Sequence, residues 1–322
     1  MSVIIPTFRR VELLERSLDA VVAQRFPADE FEVIVADDAA DPTVKAVVSK
    51  VARNSRQHGG PTVVYLPVVA SQGPAAARNA AEHVAKGAIL AFTDDDTIAH
   101  PEWLSAGIAA IEDGADAVSG CIHVPVSSTP PVDYERDAAR LSQAEFATAN
   151  CFVRRDVFRA VGRFDERFTH AWREDSDLHF RLLDHGFSIV RAPESIVIHP
   201  VRPAPHWISL MQQRKSEFNA LLFKKHRGRY RQQIQKYPPF GYYLSILGLL
   251  GMVLRVGRGG RWGAFSAVLW ILSTLRFAWL RLRETSRSPA HVASMVVTSA
   301  LIPPISVFWR LRGAVRHRVF FL

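Results

Sequence analysis

Asp94-Asp95-Asp96 is the sharpest chemical feature of the chain. Three adjacent carboxylates repel one another unless a cation or solvent compensates. They follow Ala88–Phe92, a short apolar run of strand type, and Thr93. Carboxylates at a strand end suit a divalent ion that keeps water and takes phosphate oxygens as further ligands. The plainer alternative is an acidic turn leading into a helix near Pro101. A second acidic pair, Asp37-Asp38, ends the strand-like run Phe31–Ala36. Glu174, Asp175 and Asp177 open a helical pattern, where the macrodipole alone favours carboxylates; a carboxylate so placed can also take a proton from an attacking hydroxyl. His199 follows the strand-like Ile196–Ile198, as a metal ligand or as a packed residue.

The elements that must position these groups alternate. Val3–Ile5 stops at Pro6, Val63–Leu66 is β-branched and apolar, and another strand is expected near Ala117–Ile122. Between the strands, Val11–Gln24 has a helical apolar period, Pro42–Arg53 and Pro74–Lys86 begin with proline, and Pro101–Glu112 completes the set. This rhythm predicts an α/β fold, a mostly parallel sheet flanked by helices. Both Asp37-Asp38 and Asp94–Asp96 then fall outside the C-terminal ends of strands, where open α/β sheets bind ligands. Residues 123–148 read as a polar connection with a helix around Tyr134–Phe146, followed by helices at Asp156–Val161 and Asp175–His185.

The charge divides in two. Residues 1–199 carry 20 Lys and Arg against 29 Asp and Glu, whereas residues 200–322 carry 20 against 2. Anionic lipid and nucleic acid are the ordinary partners of such a basic half. Tyr237–Leu254 and Ser288–Trp309 contain no formally charged residue, and Trp262–Leu280 contains only Arg276. These segments approach the ~20 apolar residues that cross a bilayer. Arg255, Arg258 and Arg261, then Arg281, Arg283 and Arg287, then Arg310, Arg312, Arg316 and Arg318 flank them. Three full crossings would put some of these flanks on the wrong side by the positive-inside rule, so re-entrant or interfacial helices are expected among them. Lys224–Arg231 is the best nucleic-acid-like patch, but arginines bracketing apolar runs read as lipid contact, and nucleic acid is not the expected partner. Cys121 and Cys151 form no CxxC, which fits a reducing compartment. The N-terminus enters a strand at once without a basic n-region, so no secretory signal is expected.

The ordered motifs Val3-Ile4-Ile5-Pro6-Thr7-Phe8-Arg9-Arg10, Val35-Ala36-Asp37-Asp38, Gly73-Pro74-Ala75-Ala76-Ala77-Arg78-Asn79, Ala91-Phe92-Thr93-Asp94-Asp95-Asp96, Asn150-Cys151-Phe152-Val153-Arg154-Arg155, Gly162-Arg163-Phe164-Asp165-Glu166, Trp172-Arg173-Glu174-Asp175-Ser176-Asp177 and Ile196-Val197-Ile198-His199 together resemble the family 2 glycosyltransferases of the GT-A fold. The resemblance covers about residues 1–200. It implies an inverting transfer from a nucleotide-sugar donor, a UDP-sugar in the first instance, with Mg²⁺ or Mn²⁺. Pro6 and Thr7 would shape the nucleotide pocket, with Arg9 or Arg10 near the diphosphate. Asp38 rather than Asp37 would meet the base, and Arg78 the base or diphosphate. Asp94 and Asp95 would bind ribose or metal-bound water, Asp96 would ligate the metal with Asp94 nearby, and His199 would complete the shell. Asp175 would be the base, with Glu174 and Asp177 as alternates. Trp172, Asn150 and Asp177 would lie on the acceptor side. The processive members carry Gln-x-x-Arg-Trp after the catalytic domain; here Gln212-Gln213-Arg214-Lys215 lacks the tryptophan, which implies addition of one or few sugars.

The expected organisation is a catalytic domain over 1–205, with a nucleotide-sugar half to about 122 and an acceptor half from about 123. A basic linker over 206–236 and a helical, membrane-associated region over 237–322 follow. A lipid-linked or glycan acceptor and anionic lipid are the expected partners, at the inner membrane with the catalytic domain cytoplasmic. Polyprenyl phosphate as acceptor is one alternative, and a non-catalytic membrane- or nucleic-acid-binding subunit is another. A nucleotidyltransferase or a Rossmann dehydrogenase is disfavoured because Pro6–Arg10 contains no glycine where either would carry a glycine-rich loop.

Overall fold

The computed structural model describes residues 1–70, 72–255 and 261–321. In chain order it runs β1 (Ser2–Thr7), α1 (Val11–Val22), β2 (Glu32–Asp37), α2 (Pro42–Gln57), β3 (Thr62–Pro67), α3 (Pro74–Val84), β4 (Ile89–Thr93), β5 (Ile98–Ala99), α4 (Trp103–Glu112), β6 (Ala117–His123) and α5 (Asp133–Ala139). Then come β7 (Asn150–Arg154), α6 (Arg155–Ala160), α7 (Glu174–Asp184), β8 (Ile189–Ile198), α8 (Ile208–Gln212), α9 (Glu217–Lys225), α10 (Arg227–Arg229), α11 (Phe240–Arg255), α12 (Arg261–Leu282) and α13 (Pro289–Arg316). Arg258, one of the basic flanks noted above, lies outside the described residues.

Contacts divide the chain into two compact units. One comprises Met1–Pro125 with Ala139–Val201, the other Val126–Ala138 with Arg202–Leu322. The first unit is an eight-stranded sheet of order β3-β2-β1-β4-β7-β6-β8-β5. Strands alternate side chains between faces. Val3, Ile5, Val33 and Val35 therefore enter one core with α1, α2 and Trp103, while Ile4, Ile34 and Ala36 enter another with α3, Phe158 and Leu178.

The sheet is mixed rather than nearly all parallel. β7 runs antiparallel to both β4 and β6, and β5 antiparallel to β8. Two antiparallel steps restore the direction, so β6 and its parallel neighbour β8 point the same way as β4. The last strand is also longer than Ile196–Ile198, because a register shift at Gly120/Cys121 lets Ile189–Ala192 join the same ladder. The expected helix at Tyr134–Phe146 is two pieces, α5 and a 3₁₀ turn at Arg140–Gln143. At the other end of α5, the Glu135 carboxylate accepts from Ser127, Ser128 and the Val132 N–H, tying the preceding loop to the first turn of the helix.

The second unit is helical. α11 and α12 pack closely because Gly248 has no side chain; a Cβ there would lie 2.8 Å from the Trp270 nitrogen. Small residues at such crossings let backbones approach, as between membrane helices. Arg281 at the end of α12 is buried, 2.8 Å from Asp133 and 2.7 Å from Thr298 of α13. Farther along α13, Arg312 and Arg316 both reach the buried Glu217 of α9, at 2.8 and 2.7 Å.

Candidate active site

Most of the candidate side chains gather at the edge where β1, β2, β4, β6 and β8 end. Asp94–Asp96 leave β4 there, and the two-residue β5 then turns back to pair with β8, Ile98 opposite Ile198. That small ladder explains why Asp96 and His199, 103 positions apart in the sequence, meet. Asp96 precedes Ile98 by two residues and His199 follows Ile198, and the two side chains are 3.4 Å apart, Oδ1 to Nε2. One ligand atom each from Asp94, Asp96 and His199 lies within 4.8 Å of the others. Two carboxylates and an imidazole in that space are a donor set for a divalent cation.

Asp95 turns away from this group. Its carboxylate is buried, accepts from Thr7 Oγ1 at 2.8 Å and pairs with Arg10 at 2.9 Å. Burial pushes its pKa up, Arg10 opposes this, and the adjacent Asp96 and Asp94 add to the rise. Arg10 also lies 3.9 Å from Asp96, so it compensates part of the negative charge. Arg9 adopts φ +54° and is exposed, its guanidinium over the Phe8 ring at 5.3 Å. Pro6 is buried in the wall formed by β1.

Asp37 and Asp38 divide the work at the end of β2. Asp37 is fully buried and accepts from the Ala39 and Asp41 N–H groups and from Tyr65 Oη. Asp38 accepts from the Gly73 N–H at 2.8 Å, while its Oδ1 is buried without a partner among the described residues. Burial raises its pKa. Gly73 has φ +104°, and a Cβ there would strike the Thr169 carbonyl at 2.7 Å, so the turn into α3 requires glycine.

Arg78 of α3 does not line an open pocket. It is buried between Asp94, at 2.7 Å, and Glu174, at 3.2 Å. The acidic start of α7 is thereby tied to the Asp94–Asp96–His199 group. Its three carboxylates have different surroundings. Glu174 is buried, and burial first, then the neighbouring Asp175, raises its pKa to about 7 against the pull of Arg78. Asp177 is fully buried and paired with Arg181 at 2.8 Å. Asp175 is partly exposed and accepts from the Ser176 N–H at 2.6 Å. Trp172 is half-buried under the guanidinium of Arg173, 4.6 Å from its ring centre.

Two residues expected on the acceptor side lie in the interior. Asn150 is fully buried, accepts from Trp103 Nε1 at 2.8 Å, and donates to the carbonyls of Cys121 and Ser195 at 2.9 and 2.8 Å. Asp177 likewise faces Arg181, which also donates to the Val161 carbonyl. In both cases the amide or carboxylate is occupied by the scaffold. The Arg10–Asp95 and Arg78–Glu174 pairs could not be anticipated, since their members lie 85 and 96 positions apart.

A sheet of this topology with an acidic, histidine-completed edge is the plan of a GT-A nucleotide-sugar transferase. Models of two families match the chain: "Glycosyl transferase family 2" over residues 2–162 and "Glycosyl transferase family group 2" over 89–309. The chain belongs to glycosyl transferase family 2. It is 31% identical over 214 residues to glycosyltransferase AglE of Haloferax volcanii, covering 63% of this chain and 67% of that protein. It is 29% identical to validoxylamine A glucosyltransferase of Streptomyces hygroscopicus subsp. jinggangensis, covering 64% of this chain and just over half, 56%, of that protein. The solved mannosyltransferase PcManGT from Pyrobaculum calidifontis, in complex with GDP-Man and Mn²⁺, superposes with a TM-score of 0.62 over 96% of this chain and 86% of that one, at 18% identity. That likeness establishes the GT-A fold.

Proposed function

We propose that the protein transfers a sugar, with inversion, from a nucleotide-sugar donor to a lipid-linked or glycan acceptor, assisted by Mn²⁺ or Mg²⁺. The observation that carries this reading is the convergence of Asp94, Asp96 and His199 at the ligand edge of the sheet. The imidazole in the set favours Mn²⁺, since Mg²⁺ prefers an all-oxygen shell. A cation held there supplies positive charge against a departing diphosphate. Arg10 adds a second charge at the same edge. Asp38, with an unused buried oxygen, accepts from a base N–H; Pro6 and Thr7 wall the nucleotide pocket.

Asp175 is the base. It is the one member of its acidic trio that is partly exposed, because Glu174 and Asp177 are buried in ion pairs with Arg78 and Arg181. An acceptor hydroxyl within hydrogen-bond reach of Asp175 would lose its proton to that carboxylate as its oxygen attacks C1 from the face opposite the diphosphate. Trp172 offers an apolar surface for a sugar ring.

A lipid-linked acceptor fits the second unit. α12 and α13 are long and apolar enough to cross a membrane by length and composition. With 22 residues α12 measures about 33 Å, and Phe265, Val268, Ile271, Leu272, Leu275 and Trp279 are all exposed on it. α13 differs: its last turns hold Glu217 through Arg312 and Arg316. We assign lipid insertion to the α11–α12 hairpin and a bracing role to the end of α13. Relatives support an acceptor of this class: one is named "GalNAc(5)-diNAcBac-PP-undecaprenol beta-1,3-glucosyltransferase", from Campylobacter jejuni, 31% identical over 124 residues that cover 38% of this chain and 36% of that protein.

The test is the melting temperature of the protein in detergent with UDP- and GDP-sugars, with and without Mn²⁺. One nucleotide sugar should raise it in the presence of Mn²⁺ and less so in its absence. No shift with any donor, or the same shift in Asp96→Asn, would remove the assignment.

A further inference from the structure

Arg78 sits where two demands conflict. Its side chain is 2% exposed, and it balances Asp94 on one side and Glu174 on the other. Asp94 is also a member of the group that would hold the cation. A divalent ion drawing on Asp94 would meet a guanidinium already 2.7 Å from the same carboxylate. Two like charges so close repel, and Arg78, enclosed even though Asp94 is partly exposed, has little water around it to screen them.

Two orphan atoms show how the conflict can be relieved. Among the described residues, Arg78 Nε and Glu174 Oε2 are both buried without a hydrogen-bond partner. Buried polar atoms left unpaired are costly and rare. These two belong to opposite members of the same ion pair, which is now joined by a single 3.2 Å bond from Nη1 to Oε1. A guanidinium turned so that its Nε and Nη2 edge faces Glu174 would make a two-bond fork with the carboxylate and give both orphan atoms a partner. The same turn would release Asp94. Phe164, whose ring centre lies 5.6 Å from the guanidinium carbon, gives the planar group a face to turn against.

We propose that Arg78 is a positioning residue that couples the cation site to the start of α7. With no cation it divides its charge between Asp94 and Glu174; with a cation at Asp94 it closes on Glu174. That closure fixes the turn next to Asp175, so the acceptor-side base is ordered when the donor site is loaded. The inference rests on the cation site proposed above and adds that Glu174, which is not a ligand, governs its affinity.

The experiment is an EPR titration of the whole 322-residue chain in detergent with Mn²⁺ alone, in a double-mutant cycle of Glu174→Gln and Arg78→Met. Glutamine keeps the shape and an acceptor oxygen but removes the charge that draws Arg78 from Asp94. Mn²⁺ affinity in Glu174→Gln should fall about tenfold, within the ordinary range of site-to-site coupling. In the Arg78→Met background the same substitution should change it less than twofold. An equal loss in both backgrounds, or none in either, overturns the coupling. A wild-type protein that binds no Mn²⁺ instead overturns the cation site itself, which separates the two failures. Hydrogen exchange at residues 173–178 gives a second readout that needs no Arg78 variant. Mn²⁺ should slow exchange there in the wild type and not in Glu174→Gln; identical behaviour of the two proteins overturns the proposal.

Discussion

Replacing Asn150 by alanine tests how this site is built, because sequence and structure assign that residue different work. Its carboxamide makes three hydrogen bonds, to Trp103 Nε1, Cys121 O and Ser195 O. Asn150, Trp103 and Ser195 are all fully buried. Alanine removes the partner of an indole N–H and of two carbonyls, of which the Cys121 carbonyl is the least enclosed because Cys121 is only partly buried. An unsatisfied buried group costs about 1–3 kcal/mol. The carbonyls sit at the low end, since each keeps a second lone pair, so the sum is about 3–5 kcal/mol. In a unit of this size 1 kcal/mol moves the midpoint by about 2–4 °C. The melting temperature should therefore drop by about 6–20 °C, read by near-ultraviolet circular dichroism. Assayed well below that transition, the variant should keep its acceptor KM within twofold. A variant that melts with the wild type and shows a raised acceptor KM would refute the structural role and return Asn150 to the acceptor.

The other expected outcomes are briefer. Asp96→Asn and His199→Ala should each lose Mn²⁺-dependent turnover with unchanged melting, and turnover at the wild-type rate in Asp96→Asn would end the metal assignment. Asp175→Asn should cut kcat by about 10²–10⁴-fold while leaving stability intact; Asp177→Asn should instead lower stability by roughly 3–5 kcal/mol, as breaking a buried pair does. Equal effects of the two on melting would count against the distinction. Glu135, though burial pushes the other way, is held down to about 2 from 4.5 by the hydrogen bonds it accepts from Ser127, Ser128 and Val132. A carboxylate whose pKa is lowered on folding stabilises above its unfolded value and loses that contribution as pH falls. Glu135→Gln should thus destabilise above pH 4.5, and the gap to wild type should close toward pH 2; a gap that persists there in thermal melts would contradict it. Aspartates at Val268, Leu272 and Leu275 should shift the protein from the lipid to the soluble fraction on flotation, and unchanged flotation would exclude α12 from the membrane.

The local chemistry was legible in the sequence because it is local. Proline and glycine marked the entries to α2 and α3, β-branched runs gave β1 and β2, and the acidic clusters followed apolar runs that had to be strands. The placing of Asp37-Asp38 and Asp94–Asp96 on one edge followed from the alternation of strands and helices, since parallel strands end together. Even the base candidate was readable from the carboxylates that open α7, although not which of the three stays accessible.

The tertiary structure decided whatever depends on pairing between distant segments. The family resemblance pairs His199 with Asp96, but their spacing in the chain does not say how they come together; the two meet because β5 folds back on β8 and because β7 reverses the sheet twice. Asn150 and Asp177 read as polar residues beside a site and are interior supports, because burial is set by what packs over a residue and not by its type. Arg78 shows the limit most plainly. Its sequence neighbours are alanines and an asparagine, while its energetics are fixed by two carboxylates brought to it from Asp94 and Glu174. Charge in a buried site acts over a few ångströms of space, and the chain's order along the backbone carries no measure of that distance.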